Sequence, residues 1–225
     1  VTTRTATDAG ARRRAPAPAA ARRLALDKRR AKVRRRRIGA LLLVALLAIG
    51  VALALKPLFH DAVRQIALPL RHADIIRQQS RDKDVDPALV AAVIYAESHF
   101  IDGRTSSAGA QGLMQLTPDT AQYIARKSGG TQFHVSDLGT PQVNIAYGTF
   151  YLNYLIKRYG DDIPLVLAAY NAGEGNVDKW IAQARASDQA LDIGAIPFGE
   201  TRSYVAKVLE ARREYRASYK RELGL

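Results

Sequence analysis

One glutamate in this 225-residue chain stands where a carboxylic acid can hold a proton near neutral pH. Glu97 closes the run DPALVAAVIYAES, which starts at Asp86. It lies seven residues after Val90, four after Val93 and three after Ile94, so at about 3.6 residues per turn it shares their apolar face. A carboxyl on that face is partly desolvated, which disfavours the charged form and raises the pKa. The chemistry this permits is general acid catalysis. A glutamate at a helix end, taken alone, more often keeps its head in solvent, so the residues that follow matter.

Ser106, Ser107, Gly109 and Gly112 cluster in a turn-rich segment able to fold back tightly. Leu113 to Leu116 then form a short connector carrying Gln115, an amide suited to a polar substrate beside a buried acid. Further on, Tyr170 and Asn171 sit where a helix passes into a loop. The tyrosine either packs or lines a polar ligand site, and Asn171 with Gly173 also fits ordinary turn chemistry. Glu200 lies near a helix start, where it is equally a favourable dipole partner.

The elements that must hold these groups read as helices. Asp86-Pro87, Thr117-Pro118 and Thr140-Pro141 each place a capping side chain before a proline at the first helical position. A first helix is expected over 71–80, the central one from Pro87, and a third over 118–127. A long helix from Pro141 follows, ended by Gly160, and Asp162 starts the next. Another spans 175–184 with Trp180 as a core anchor. The last begins near Glu200, with Tyr204, Val205, Val208 and Leu209 at helical spacing and Arg212, Arg213 and Arg216 as a solvated face. The expected fold class is therefore mostly α, with room for a small β-hairpin over 106–111.

Four blocks of this sequence, taken in order, resemble the catalytic domain of the soluble lytic transglycosylases, related in fold to goose-type lysozymes. They are Glu97-Ser98, SSAGAQGLMQLTP from Ser106, AAYNAGEGNV from Ala168 and GETRSYVAKV from Gly199. One block of this kind arises by chance, whereas four in series are a specific signal. Many members carry methionine where this chain has Thr117. The resemblance implies a lysozyme-like fold over 71–225 and cleavage of the β-1,4 bond between N-acetylmuramic acid and N-acetylglucosamine in peptidoglycan, leaving 1,6-anhydro ends. It implies Glu97 as the catalytic acid and base, with substrate contacts carried onto Ser98, Gln115, Tyr170 and Asn171, and onto Glu200 and Tyr204. Ser107 either fixes the turn or touches sugar.

Charge and hydropathy divide the N-terminal part. Residues 1–37 hold 14 Lys or Arg and two Asp, a balance of +12, while the remaining residues carry the other +1 of the net +13. This stretch, rich in Ala, Arg and Pro, reads as a disordered basic cytoplasmic tail. Ile38 to Leu55 is free of charge and, as a helix, reaches about 27 Å, enough to cross a bilayer. Arg34 to Arg37 precede it, so the positive-inside rule puts everything after residue 55 outside the cell membrane. The competing reading is an exported protein, with Ala52-Leu53-Ala54 as a signal-cleavage site. Residues 56–70, with Pro57 and Pro69, read as a juxtamembrane linker.

The chain has no cysteine, and its four histidines lack ligand spacing, so neither a metal nor a cofactor is expected. Asp82, Asp84 and Asp86 alternate like the start of a calcium loop, but no glycine follows at the sixth position and a solvated turn fits better. The expected partners are glycan strands and the membrane, without nucleic acid, since the charge is confined to the tail. Two other readings compete with a lyase. A lysozyme-like hydrolase would need a second polar group to hold water, with Asp102, Asp119, Asp137 and Glu174 available. An inactive peptidoglycan-binding scaffold would be expected to lack the acid.

Overall fold

The computed structural model describes residues 66–225, except 130–132 and 189, together with scattered positions between 28 and 55. By Cα proximity the chain divides into residues 1–61 and 62–225. The scattered N-terminal positions are all helical, including those from 28 to 37, where the tail is expected to be disordered; Lys, Arg and Ala there are good helix formers. The disorder expected over 5–21 lies outside the described residues. Among the described residues no helix is long and apolar enough to cross a membrane, and the run 38–55 falls partly outside them.

The second unit is helical throughout. Its elements are α1 (Ala73–Lys83), α2 (Pro87–Ser98), α3 (Pro118–Ser128), α4 (Pro141–Tyr159), α5 (Ile163–Ala172), α6 (Glu174–Ala186), α7 (Gly199–Ser218) and the short α8 (Lys220–Leu223). Short 3-10 turns at Val135–Gly139 and Ile193–Ala195 interrupt the connections. No strand occurs among the described residues. The hairpin expected over 106–111 is reduced to isolated antiparallel bridges, Thr105 with Gln111 and Gln111 with Leu116. Positive φ at Gly109, Gly112 and Gln115 bends the backbone too often for an extended run.

Helix α2 is the axis of the body. Ala88 through Ile94 are all at most 1% exposed, so it has no solvent face and must be enclosed by its neighbours. It packs mainly along α7, with α1 beside it, and α5 lies between α7 and α4. Asp86 caps it as expected, accepting a hydrogen bond from Ala88 N at 3.0 Å. The same carboxylate accepts from Arg212 Nε at 2.6 Å and from Arg216 Nη1 at 2.9 Å, fastening the start of α2 to the far half of α7. Neither the solvated turn nor the solvated arginine face is therefore right, because the lone acid at a buried helix start draws both cations to it.

The domain also starts earlier than residue 71. Leu68 is buried in the core, and its carbonyl accepts from the Tyr219 hydroxyl at 2.7 Å. Tyr215 donates to the carbonyl of Pro69 in the same way. An apolar side chain and two satisfied carbonyls make the end of the expected linker part of the fold.

A second fixed point positions the segment after Gly109. Asn144 in α4 is fully buried, and its amide accepts from Met114 N at 2.7 Å while donating to Gln111 O at 2.8 Å and Leu138 O at 3.0 Å. Gly112, at φ +78°, passes so close that a Cβ would lie 2.1 Å from Asn144 Nδ2. Gly148, one turn further along α4, leaves the space occupied by the Met114 sulfur, which a Cβ would meet at 2.2 Å.

Asp86→Asn separates the two roles of that carboxylate, because asparagine caps as well as aspartate but carries no charge. Burial pushes the Asp86 carboxyl up, yet the hydrogen bonds from Arg212, Arg216 and Ala88 N–H outweigh it, and its pKa is lowered from the usual 3.8. A depressed carboxyl contributes stability above its unfolded value and loses it as the pH falls through the folded value. The substitution is expected to cost about 1.5–3 kcal/mol at neutral pH. In denaturant unfolding the gap between the two proteins should close below about pH 3.8.

Candidate active site

The last turn of α2 is where the enclosed helix first reaches a surface. Glu97 sits there partly buried, and His99 and Phe100 immediately after it both have positive φ, so the chain leaves at a sharp angle. Burial raises the Glu97 carboxyl from its usual value near 4.5 to about 7. The Tyr204 hydroxyl and the charges of Lys207 and Arg104 pull the other way without overcoming it. A carboxyl in this state is substantially protonated at neutral pH yet able to release the proton.

Two tyrosines flank it. Burial, and then the neighbouring Glu97, hold the Tyr204 and Tyr170 phenols well above their ordinary value, so both remain neutral donors. Tyr170 donates to Met114 O at 2.9 Å, tying α5 to the connector that Asn144 holds from the other side. The Tyr204 hydroxyl is buried without a hydrogen bond of ordinary geometry; its interaction with Glu97 is electrostatic and falls short of one. A buried hydroxyl left this way is uncommon and is a ready donor for a ligand oxygen. Lys207 lies alongside, donating to Ala96 O at 3.2 Å over the Tyr95 ring.

The other residues singled out in the sequence are placed differently. Ser98 is fully buried and its hydroxyl donates to Ile94 O at 3.1 Å, back within its own helix. Gln115, at φ 48°, donates through Nε2 to Arg104 O at 3.0 Å and Gly112 O at 2.8 Å, leaving its side-chain oxygen as the open group. Asn171 accepts from Thr201 Oγ1 at 2.7 Å and so joins α5 to α7. Ser107 is exposed at the tip of the turn, and it is Ser106 that fixes the turn, accepting from Ala110 N at 3.0 Å. Glu200 is exposed in the first turn of α7.

Sequence reasoning missed Asn144, Arg104, Lys207 and Thr201. Asn144 carried a signal, since an asparagine inside a helix is unfavourable unless its amide has a specific task. The two cations carried none, because their proximity to Glu97 is created by the fold. The acids weighed as a second polar group are engaged or distant in role. Asp102 pairs with Arg71 at 3.0 Å and with His72, Asp137 accepts from His134 N at 2.9 Å, and Glu174 accepts from the Tyr154 hydroxyl at 3.1 Å. Neither they nor Asp119 are among the groups acting on Glu97.

Comparison with known proteins agrees with this geometry. A family profile described as the transglycosylase SLT domain matches residues 74–193. The soluble lytic murein transglycosylase of Salmonella typhimurium is 34% identical over 163 residues, 69% of this chain and 24% of that protein. The membrane-bound lytic murein transglycosylase C of Glaesserella parasuis is 33% identical over 169 residues, covering 65% of this chain and 46% of that one. The crystal structure of the 70-kDa soluble lytic transglycosylase of Escherichia coli superposes with a TM-score of 0.63 at 32% identity, over 68% of this chain and 25% of its own. This chain thus spans a quarter to less than half the length of these relatives. With the matched profile covering more than half of its residues, the chain belongs to the transglycosylase SLT family and carries its lysozyme-like, mostly helical catalytic domain.

Proposed function

We propose that this protein is a peptidoglycan lytic transglycosylase in which Glu97 serves as acid and then as base. The observation that carries this reading is a single carboxyl raised to about 7, acted on by a phenol and two cations and by no second carboxylate. Most glycoside hydrolases work with two carboxyl groups at a set separation, whereas substrate-assisted enzymes need only one. Glu97 protonates the glycosidic oxygen, the N-acetylglucosamine side leaves as an alcohol, and the muramyl acetamide oxygen bonds to C1. The resulting carboxylate removes the proton from the 6-hydroxyl of the same sugar. That oxygen attacks C1, the acetamide is released, a 1,6-anhydro ring closes, and Glu97 regains its proton with no water consumed.

The flanking groups suit this course. The unsatisfied Tyr204 hydroxyl and the open oxygen of Gln115 supply a donor and an acceptor for sugar hydroxyls and amides, with Tyr170 on the opposite wall. Ser98 and Asn171 act by holding the helix ends rather than by touching sugar, and Ser107 and Glu200 lie at the rim. The relatives named membrane-bound support anchoring, and here the anchor is the uncharged run 38–55, with Arg34 to Arg37 on the cytoplasmic side.

Glu97→Gln keeps size and much of the hydrogen bonding but cannot transfer a proton. It is expected to lower peptidoglycan turnover by about 10²–10⁴-fold or more with little change in melting temperature. Mass spectrometry of the products of the unaltered protein should find 1,6-anhydro ends; reducing ends would assign hydrolysis instead, and no release would leave a binding scaffold. Because the proton is lost as pH rises through about 7, the rate should fall on the alkaline side of that value. Lys207→Met removes a charge that favours the carboxylate, so it should move this limb to higher pH, as a pH–rate profile will record. For the anchor, full-length protein should sediment with membranes and resist salt extraction, and a soluble exported form with a new N-terminus near residue 55 would contradict it.

A further inference from the structure

At the opposite end of α2 from Glu97, about 15 Å away along the helix axis, lies a pocket of about 350 Å³. Arg77, Ser80 and Arg81 share one face of α1 and line it, with Arg216 of α7 opposite and Val85 and Leu223 as its apolar part. Ser80 is only 3% exposed, yet its hydroxyl has no hydrogen-bond partner. Buried hydroxyls are rarely left unsatisfied, so this one marks a place for an acceptor from outside the protein.

The charges around it narrow the choice. Asp86 at the floor is already matched by Arg212 and Arg216, and Arg77 donates to the carbonyl of Glu222 with one of its N–H groups. Arg81 is exposed and makes no ion pair among the described residues, which leaves its fork and the rest of Arg77 as donors. Asp84, on the exposed turn after α1, offsets part of this positive charge and disfavours a multiply charged anion. The apolar wall favours a ligand with small aliphatic substituents over a bare ion.

We propose that this pocket binds the C-terminal carboxylate of a short peptide with small aliphatic side chains, the chemistry presented by alanyl peptide ends in cell-wall polymer. Ser80 and Arg81 donate to the carboxylate, and Val85 and Leu223 take the methyl groups. The site is non-catalytic and gives the domain a hold on the substrate's peptide independent of its hold on the glycan. Only the source of the peptide rests on the wall-lytic reading above.

The test uses the full chain, with amide chemical shifts followed during titration with N-acetyl-D-alanyl-D-alanine, its C-terminal amide, and inorganic phosphate at matched ionic strength. The dipeptide acid should shift the amides of Ser80, Arg81 and Val85, and the C-terminal amide should bind about tenfold more weakly or worse, as loss of charged hydrogen bonds requires. Arg81→Gln, at an exposed position, and Ser80→Ala should each weaken binding while leaving peptidoglycan turnover unchanged. Equal binding of acid and amide, phosphate matching the dipeptide at these resonances, or shifts confined to the surroundings of Glu97 would each overturn the proposal. A protein that binds the dipeptide here but releases no muropeptide upholds the pocket and refutes the catalytic reading instead.

Discussion

A helix without a polar side has to be surrounded, and that requirement organises this domain. From Ala88 to Ile94 every side chain of α2 faces protein, so α7, α1 and the other helices are arranged to leave no part of it wet. Such a helix can carry polar groups only at its two ends. At its start, Asp86 satisfies a free N–H and meets two arginines; at its finish, Glu97 comes out at the edge of the enclosure, dry enough to keep a proton. The raised pKa of the candidate acid is thus a consequence of packing rather than of a dedicated charge partner.

The opposing wall of the site depends on a different device. The segment from Gln111 to Leu116 has little secondary structure of its own, and it is held by the buried amide of Asn144, the hydroxyl of Tyr170 and the absence of side chains at Gly112 and Gly148. Two rigid helices therefore fix the shape of a loop from below and from the side. Groups that touch substrate are best carried on loops held in this manner, where the scaffold supplies the rigidity.

Much of this was legible beforehand. The three cap-and-proline starts at Asp86, Thr117 and Thr140 fall where helices begin, and the face shared by Val90, Val93, Ile94 and Glu97 is the buried one. The failures have a common physical origin. Leu68, Arg212 and Arg216 look like linker or surface residues because nothing within a few positions of them reveals that they meet Tyr219 or Asp86, more than a hundred residues away in the chain. Lys207 and Arg104 near Glu97 are of the same kind. Gln115 was found, but its two amide hydrogens are engaged with backbone carbonyls, a use that composition and spacing do not distinguish from contact with a ligand.

The sulfur chemistry of the chain is confined to one atom. There are no cysteines, and the single methionine, Met114, is fully buried against the bare backbone of Gly148. An oxidant reaching the folded domain from solvent meets no exposed sulfur. Were the domain to open far enough for Met114 to become a sulfoxide, the added oxygen would have to enter the space that Gly148 already leaves wholly to the sulfur, and the segment carrying Gln115 could not settle back. Oxidative damage would then register only in molecules that had first unfolded, and would prevent those molecules from regaining an ordered cleft.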